Sequence, residues 1–342
     1  MKFNAQENPS LSRKSTDKRR QIVKNRRYYI ALSLAALCTS APLASHAQSM
    51  PLRVIVPYSA GGTADVIARM LTDGLKEHTG RLAIVENKPG AGGRIALSAL
   101  KNSQGDGAAV VFAFNGVLVN SIVFQNAKEF RFKEDFVGLA QVGTMPAALA
   151  VSYGHKAHNV KEFILTRKQE GDLVYGNMGP GSLTHLAGLR FATATRLKPN
   201  PIGYQGGAPM ANDLMGGQLD AGIDTASDFV ERHKGKKLKV LGVFGHKRFP
   251  LLSDVPTMAE QGISNVEAEL WLGFLGSSRA SAAFNARFQD AIQKTLANPS
   301  VREKISKIIE VEYKGATDFS NVMASDFATW TPLIINSGLV QN

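Results

Sequence analysis

Val54-Ile55-Val56-Pro57-Tyr58-Ser59-Ala60-Gly61-Gly62-Thr63-Ala64-Asp65-Val66-Ile67-Ala68-Arg69 is the stretch on which the fold turns. It reads as a short buried strand, a Gly-Gly turn and the start of an amphipathic helix with Ile67, Met70, Leu71 and Leu75 on one face. A strand that feeds a helix through a glycine turn aims the helix's unpaired backbone N–H groups at the rim of a sheet, where a small anion can sit. Nucleotide enzymes, phosphate enzymes and proteins that clamp a carboxylate all use such a site, so the remaining sequence has to choose between them.

The first 47 residues read as an export leader. Arg19-Arg20 and Arg26-Arg27 precede the apolar run 28–37, and small Ser45 and Ala47 stand where a signal peptidase cuts, just before Gln48. The run is too short for a membrane anchor. Both arginine pairs approximate a twin-arginine signal, and an ordinary secretory signal with a rich basic end fits as well. Either route leaves the cytoplasm, so the periplasm is the expected destination. The single cysteine, Cys38, falls inside the leader behind bulky Leu37, a poor match to a lipoprotein signal. A mature chain of 295 residues without cysteine must be held by its core, and at that size about three quarters of the surface can be buried.

The formal net charge of +12 shrinks once the leader is set aside, because 31 basic and 26 acidic residues remain, a net of +5. The densest cluster, Arg232-His233-Lys234-Gly235-Lys236-Lys237, has no interleaved aromatics and precedes a strand, which points to a solvated turn and away from nucleic acid. A modest positive field suits small anions.

After residue 50 the pattern alternates. Apolar runs at 53–57, 82–86, 109–114, 137–142 and 147–152 are separated by helix-period segments at 64–78 and 93–101, the signature of βα units on a largely parallel sheet. The alternation continues with strands at 173–176, 218–223 and 238–243 and helices at 183–192, 208–215 and 257–261. It closes with helices at 279–297, 299–309 and 316–337. Two α/β lobes are expected. Val137 to Val151 and Val266 to Gly276 are extended and apolar with no flexible break, so each is read as a crossing between lobes. That gives a first lobe of 48–146 with 271–342 and a second of 147–270, with the function in the cleft between them.

Four glycine loops could carry chemistry. Gly61-Gly62-Thr63-Ala64 lacks the Gly-Lys-Ser/Thr of a phosphate loop, and a side chain at Gly62 is expected both to obstruct an anion and to strain the turn. Gly90-Ala91-Gly92-Gly93-Arg94-Ile95 begins like a dinucleotide fingerprint but has Ile95 in place of the third glycine, so it is read as a turn opening a helix. In Gly179-Pro180-Gly181-Ser182-Leu183-Thr184-His185, Ser182 is placed to cap the helix; Thr184 either offers a hydroxyl to a ligand or only satisfies the helix end. The absence of a trailing glycine argues against Ser182 as a hydrolase nucleophile. The fourth loop sets Tyr204 and Gln205 at a sheet edge, and Asp224 ends the next strand, where it meets a ligand amine or hydroxyl or caps the following segment. His155 and His158 lie in a loop with no cysteine or carboxylate beside them, and Glu267 and Glu269 alternate on an extended segment, so no metal, cofactor or catalytic pair is expected.

Five collinear stretches resemble the Bug (TctC-like) family of tripartite tricarboxylate transporter receptors: Pro57-Tyr58-Ser59-Ala60-Gly61-Gly62 with Asp65, Val85 to Gly93, Tyr175 to Gly188, Tyr204 to Gln218, and Asp254-Val255-Pro256-Thr257 with Glu260 and Gly262. The resemblance implies a two-lobed periplasmic binding protein, type 2-like, that closes on a small carboxylate. It also implies that the ligand's proximal carboxylate is held chiefly by backbone amides and ordered water from loops corresponding to Ser59–Thr63 and Gly181–Thr184. The chain departs from the family pattern at Ala60, where proline is usual, and at Thr63-Ala64, where glycine and Ser/Thr are common; Ala64 removes a hydroxyl near the mouth. The ligand-binding candidates are Tyr58, Ser59, Ala60, Gly61, Gly62, Thr63, Asp65, Asn115, Gly181, Ser182, Thr184, Tyr204 and Asp224.

The expected function is capture of a di- or tricarboxylate, an amino acid or an aromatic acid, by a monomer that serves integral-membrane transporter subunits. An exported enzyme acting on a carboxylated substrate is the alternative from another class, and it would need an activated nucleophile or metal set that the sequence does not supply. A ligand-presenting subunit of a sensor is the third. The leader carries a direct prediction: mass spectrometry of the protein from its native host is expected to find a chain that begins near Gln48, and a mature mass that keeps residues 1–40 would refute it.

Overall fold

The computed structural model describes Met1 and residues 50–103, 107–124, 129–204 and 206–340. The expected leader with Cys38, and Gln205 of the fourth loop, lie outside the described residues, Met1 apart. The strands are β1 (Leu52–Val56), β2 (Ala83–Asn87), β3 (Ala109–Phe114), β4 (Phe136–Ser152), β5 (Leu173–Asn177), β6 (Pro199–Gly203), β7 (Ala221–Thr225), β8 (Leu238–Val243), β9 (Glu269–Ser277) and β10 (Glu310–Gly315). They run in the order β2-β1-β3-β9-β4-β7-β5-β6, with β10 and β8 added on β4.

The molecule has two α/β lobes that share β4. Its first half pairs with β9 (136–146) and β10 (140–144), while its second half pairs with β7 (147–150) and β8 (148–152). The outer strands of both lobes, β2-β1-β3 and β7-β5-β6, are parallel as the βα alternation predicts. β4 itself runs antiparallel to all four of its neighbours. The apolar runs at 137–142 and 147–152 are parts of one strand, and the chain passes between them without a break, in keeping with the extended reading of Val137 to Val151. Pro146 has no N–H to give, and it falls after the last β10 partner, Thr144, and before the first β7 and β8 partners, Ala147 and Ala148. At the junction Ala147 N–H donates to Ala268 O (2.9 Å), Ala268 N–H to Phe244 O (2.8 Å) and Phe244 N–H to Ala147 O (2.8 Å), so the two crossings are tied by main chain.

Helices cover the sheets where the apolar stripes require. The helix Thr63–Thr79 buries Ile67, Ala68, Leu71 and Leu75 and stops at Gly80, whose φ of 70° permits the left-handed C-cap bond to Lys76 O. The last helix, Ala316–Asn336, lays Phe319 and Met323 onto the first lobe's sheet at Gly138 and Gly273, where a β-carbon would stand 2.6–2.8 Å from those side chains. Among the described residues no helix is long and apolar enough to cross a membrane.

Several elements go beyond the sequence expectation. The helices Gly116–Val123, Val160–Glu170 and Ala226–Lys234 and the strands β6 and β10 are additional, and the helix expected at 257–261 is a single 3₁₀ turn, Ala259–Gln261. The helix Val160–Glu170 carries its own signal: Asn159 Oδ1 accepts from Glu162 N–H (2.9 Å) and Glu162 reaches back to His158 N–H (2.7 Å). β6 contains two prolines and survives because it is an edge strand, paired only with β5.

The close approach of β10 to β4 is testable at Gly143, where a β-carbon would stand 2.3 Å from Glu310 O. Gly143→Ala is expected to destabilise by about 1–3 kcal/mol, because main chain has to move. Gly116→Ala, with open space around the added methyl, is the control. Urea denaturation of both variants measures this, and equal midpoints would refute the packing.

Candidate functional site

The carboxyl ends of β1, β2, β5 and β6 lead into the four glycine loops singled out in the sequence, and those of β3 and β7 carry Asn115 and Asp224; carboxyl ends are where ligands gather in α/β sheets. At the first loop Gly61 takes the left-handed φ of 82°, whereas Gly62 is extended at φ −75°, ψ 166° and precedes the helix without any side-chain cap. This corrects the expectation of strain at Gly62: a β-carbon there meets only Ser59 O, at 3.4 Å, and the conformational need for glycine lies one residue earlier. Ser59, Ala60, Gly61 and Gly62 are exposed and Thr63 half-buried, so the N-terminus of this helix is open.

Asp65 organises the loop from behind. It is 3% exposed, and its carboxylate accepts from Gly61 N–H (2.9 Å), Arg69 Nε (3.1 Å) and Asn87 Nδ2 (3.0 Å). Asn87 Nδ2 also reaches Tyr58 O (3.1 Å). The Arg69 guanidinium, more than any other neighbour, holds the Asp65 carboxyl at about 2. Asp65 is thus committed to protein groups, and the Gly61 N–H with it. Tyr58 is half-buried; its hydroxyl accepts from Phe114 N–H (3.2 Å), its ring lies 5.5 Å from that of Phe114, and burial pushes the phenol up.

The third loop is built from the same parts. Gly179 and Gly181 have φ of 94° and 75°. Ser182 Oγ caps the helix Leu183–Thr195 by accepting from His185 N–H (3.1 Å), as its position predicts. Thr184 Oγ1 accepts from Met178 N–H (3.0 Å), lies 3.1 Å from Ser182 Oγ and is 2% exposed, so of its two readings the structure favours service to the turn. His185 Nδ1 accepts from Gly181 N–H (3.1 Å), and burial lowers the imidazole's pKa, which leaves the ring neutral with its proton on Nε2.

One helix, absent from the sequence reading, packs against the third glycine loop and the second. A β-carbon on Gly181 would stand 2.9 Å from Val123 Cγ2, at the end of the helix Gly116–Val123 in the first lobe. The second glycine loop packs on the same helix: β-carbons on Gly92 and Gly93 would meet Asn120 and Val117 at 2.5 Å, and the one on Gly93 would also stand 3.5 Å from Pro57 Cβ. Close approach accounts for those glycines, as the reading of a helix-opening turn requires.

Asn115, just before that helix, is fully buried. Its Nδ2 donates to Glu269 O (3.0 Å) and Asp326 Oδ2 (3.2 Å), and Trp271 Nε1 donates to the same Asp326 oxygen (2.7 Å). Asn115 therefore binds β3, β9 and the last helix together where the chain crosses. In the second lobe Tyr204 donates its hydroxyl to Asp213 (2.6 Å), and burial followed by that carboxylate pushes the phenol up to about 12. Asp224 is 1% exposed; Oδ1 accepts from Thr225 N–H (2.8 Å), while Oδ2 has no partner and faces Gly207, where a β-carbon would be 2.8 Å away. Burial first, then the neighbouring Asp228, raises its pKa.

Sequence reasoning missed Asn87, Asp326 and Trp271 as supports of the site. Among the described residues no three His, Cys, Asp or Glu side chains gather as a metal site would require. The depressed Asp65 fixes a sign. Its contribution is present above pH about 4 and is lost as pH falls toward 2, so Asp65→Asn is expected to cost about 2 kcal/mol at pH 7 and almost nothing at pH 2. Denaturant titrations at pH 7 and at pH 2–3 check it; a pH-independent difference would refute the assignment.

The profile of the tripartite tricarboxylate transporter family receptors matches residues 67–339. BugT of Bordetella pertussis (strain Tohama I) is 27% identical over 277 residues, covering 80% of this chain and 85% of its own. The crystal structure of a TctC solute binding protein from Polaromonas is 30% identical with a TM-score of 0.70, covering 84% of this chain and 99% of that one. An R. palustris protein solved with adipate is 25% identical with a TM-score of 0.75, covering 84% and 97%.

Proposed function

The chain belongs to the tripartite tricarboxylate transporter receptor family, and on that premise we propose that it is a periplasmic receptor that captures a small carboxylate for integral-membrane transporter subunits. The observation that carries the proposal is the pair of helix N-termini, behind Gly61-Gly62 and Gly181-Ser182, one from each lobe, each entered from the carboxyl end of a sheet strand through a glycine at positive φ. Such ends attract a carboxylate through oriented N–H groups and the helix dipole, with no cationic side chain needed. The adipate bound by the R. palustris relative supports a dicarboxylate as one member of the ligand class. The basic, apolar and small-residue leader supports the periplasm, and the family's receptor character supports a role in binding without catalysis.

In this reading the lobes are 48–146 with 271–342 and 147–270, and the protein works as a monomer. The loop 58–63 and residues Gly181 and Ser182 meet the ligand's proximal carboxylate. Asp65, Asn115 and Thr184 hold those loops in place. Tyr204 and Asp224 shape the distal end, where the unpaired, buried Asp224 oxygen favours a ligand that brings an amine or hydroxyl and disfavours a plain distal carboxylate.

A thermal-shift screen of residues 48–342 against mono-, di- and tricarboxylates, amino acids and aromatic acids tests the class, since a ligand at 100 times its Kd stabilises by about 2.7 kcal/mol. Calorimetry with the best carboxylate then tests the site. Gly62→Val is expected to fold, because its φ suits any residue, and to weaken binding at least about 100-fold, or about 2.7 kcal/mol, by placing an isopropyl group at the helix end. Asp224→Asn is expected to narrow the preference for aspartate over succinate. A folded Gly62→Val that binds like wild type would refute the placement of the anion site.

A further inference from the structure

We propose that Arg190 is a latch that holds the two lobes closed. The residue sits in the helix Leu183–Thr195, whose first turn is the second lobe's proposed anion site. Its guanidinium forks to two backbone carbonyls of the segment returning to the first lobe, Nη1 to Glu267 O (2.9 Å) and Nη2 to Asn265 O (2.7 Å). The same group lies over the ring of Trp330, 5.2 Å from its centroid. Trp330 is 2% exposed and belongs to the last helix, which rides on the first lobe's sheet. One side chain therefore joins the anion-binding helix, the second crossing and the body of the opposite lobe.

The fit of each partner is chemical. A planar fork with several donors is what two carbonyls near one another in sequence require, and Asn265 turns its carbonyl into place from a left-handed φ of 60°. The Trp330 face supplies the best aromatic surface for a cation. One turn before Trp330, Asp326 accepts from Asn115 and Trp271, so the face of the last helix that fixes the crossing continues under Arg190. Asn265 and Glu267 belong to the lobe that carries Arg190 and fix the guanidinium there, so opening the lobes has to separate Arg190 from Trp330 of the other lobe. The latch acts on the open–closed equilibrium whichever carboxylate is bound, and so goes beyond the carboxylate reading.

The mature chain's lack of cysteine permits a direct test on ligand-free protein. Spin labels at Lys76→Cys and Lys168→Cys, both exposed and one in each lobe, report the inter-lobe distance by pulsed electron resonance. Arg190→Ala is expected to raise the ratio of open to closed populations about 3- to 30-fold. Arg190→Lys, which keeps a cation over Trp330 but cannot fork, is expected to fall between. Identical distance distributions in Arg190→Ala and wild type overturn the proposal, whether both are open or both closed. A lowered Tm with unchanged distances assigns Arg190 to packing alone and also overturns it. If Arg190→Ala does not fold, Arg190→Lys decides in the same way.

Discussion

Every buried main-chain polar group needs a partner, and a strand that leaves one sheet for another places that demand on the least forgiving part of the molecule. β4 meets it by changing neighbours on both sides within a few residues, from β9 and β10 to β7 and β8. The one residue that needs no N–H partner, Pro146, falls at the change. Ala147, Phe244 and Ala268 close the gap with main-chain bonds, and no side chain takes part in that closure. Both lobes take their position from this junction, and so does everything that faces the cleft: Asn115 reaches Glu269 O beside it, and the last helix is fixed to the same place through Asp326.

The site solves an electrostatic problem without arginine or lysine as its proposed anion contacts. Main-chain N–H groups at two helix starts supply partial positive charge that does not titrate. Acids near such a site would normally repel its ligand, and the two that lie close are dealt with differently. Asp65 is ionised and fully engaged by Arg69, Asn87 and Gly61, so its charge is answered locally. Asp224 is buried with an oxygen to spare beside Asp228, and its proton affinity rises accordingly. One carboxylate stiffens the loop; the other leaves a polar demand inside the second lobe.

Much of this was legible in the residues alone. Hydrophobic period and glycine turns located β1, β2, β3, β5 and β8 and the helices at 63–79 and 183–195, because those elements carry regular apolar spacing. Ser182 announced its cap through its position before an apolar run. The helix Gly116–Val123 escaped because it is apolar nearly all round, with Val117, Leu118, Val119, Ile122 and Val123 buried, so no stripe marks it. β10 escaped because Glu310-Val311-Glu312-Tyr313 is short and charged, and its place depends on the close approach at Gly143. Asn115, Asp326 and Trp271 meet across separations of 55 to 211 residues, and no local pattern encodes a contact of that kind.

A recognition surface composed of main chain has an evolutionary consequence. Point mutation replaces side chains, so it can crowd or tilt the amides behind Gly61-Gly62 and Gly181-Ser182 but cannot delete them. The proposed hold on a carboxyl group is therefore robust to drift, while the proposed distal residues Tyr204 and Asp224 are free to be exchanged one at a time. A lineage built this way can sample new solutes without first losing the old one. Its glycines are the exception: Gly61 and Gly181, held at positive φ, are the positions where drift is least tolerated.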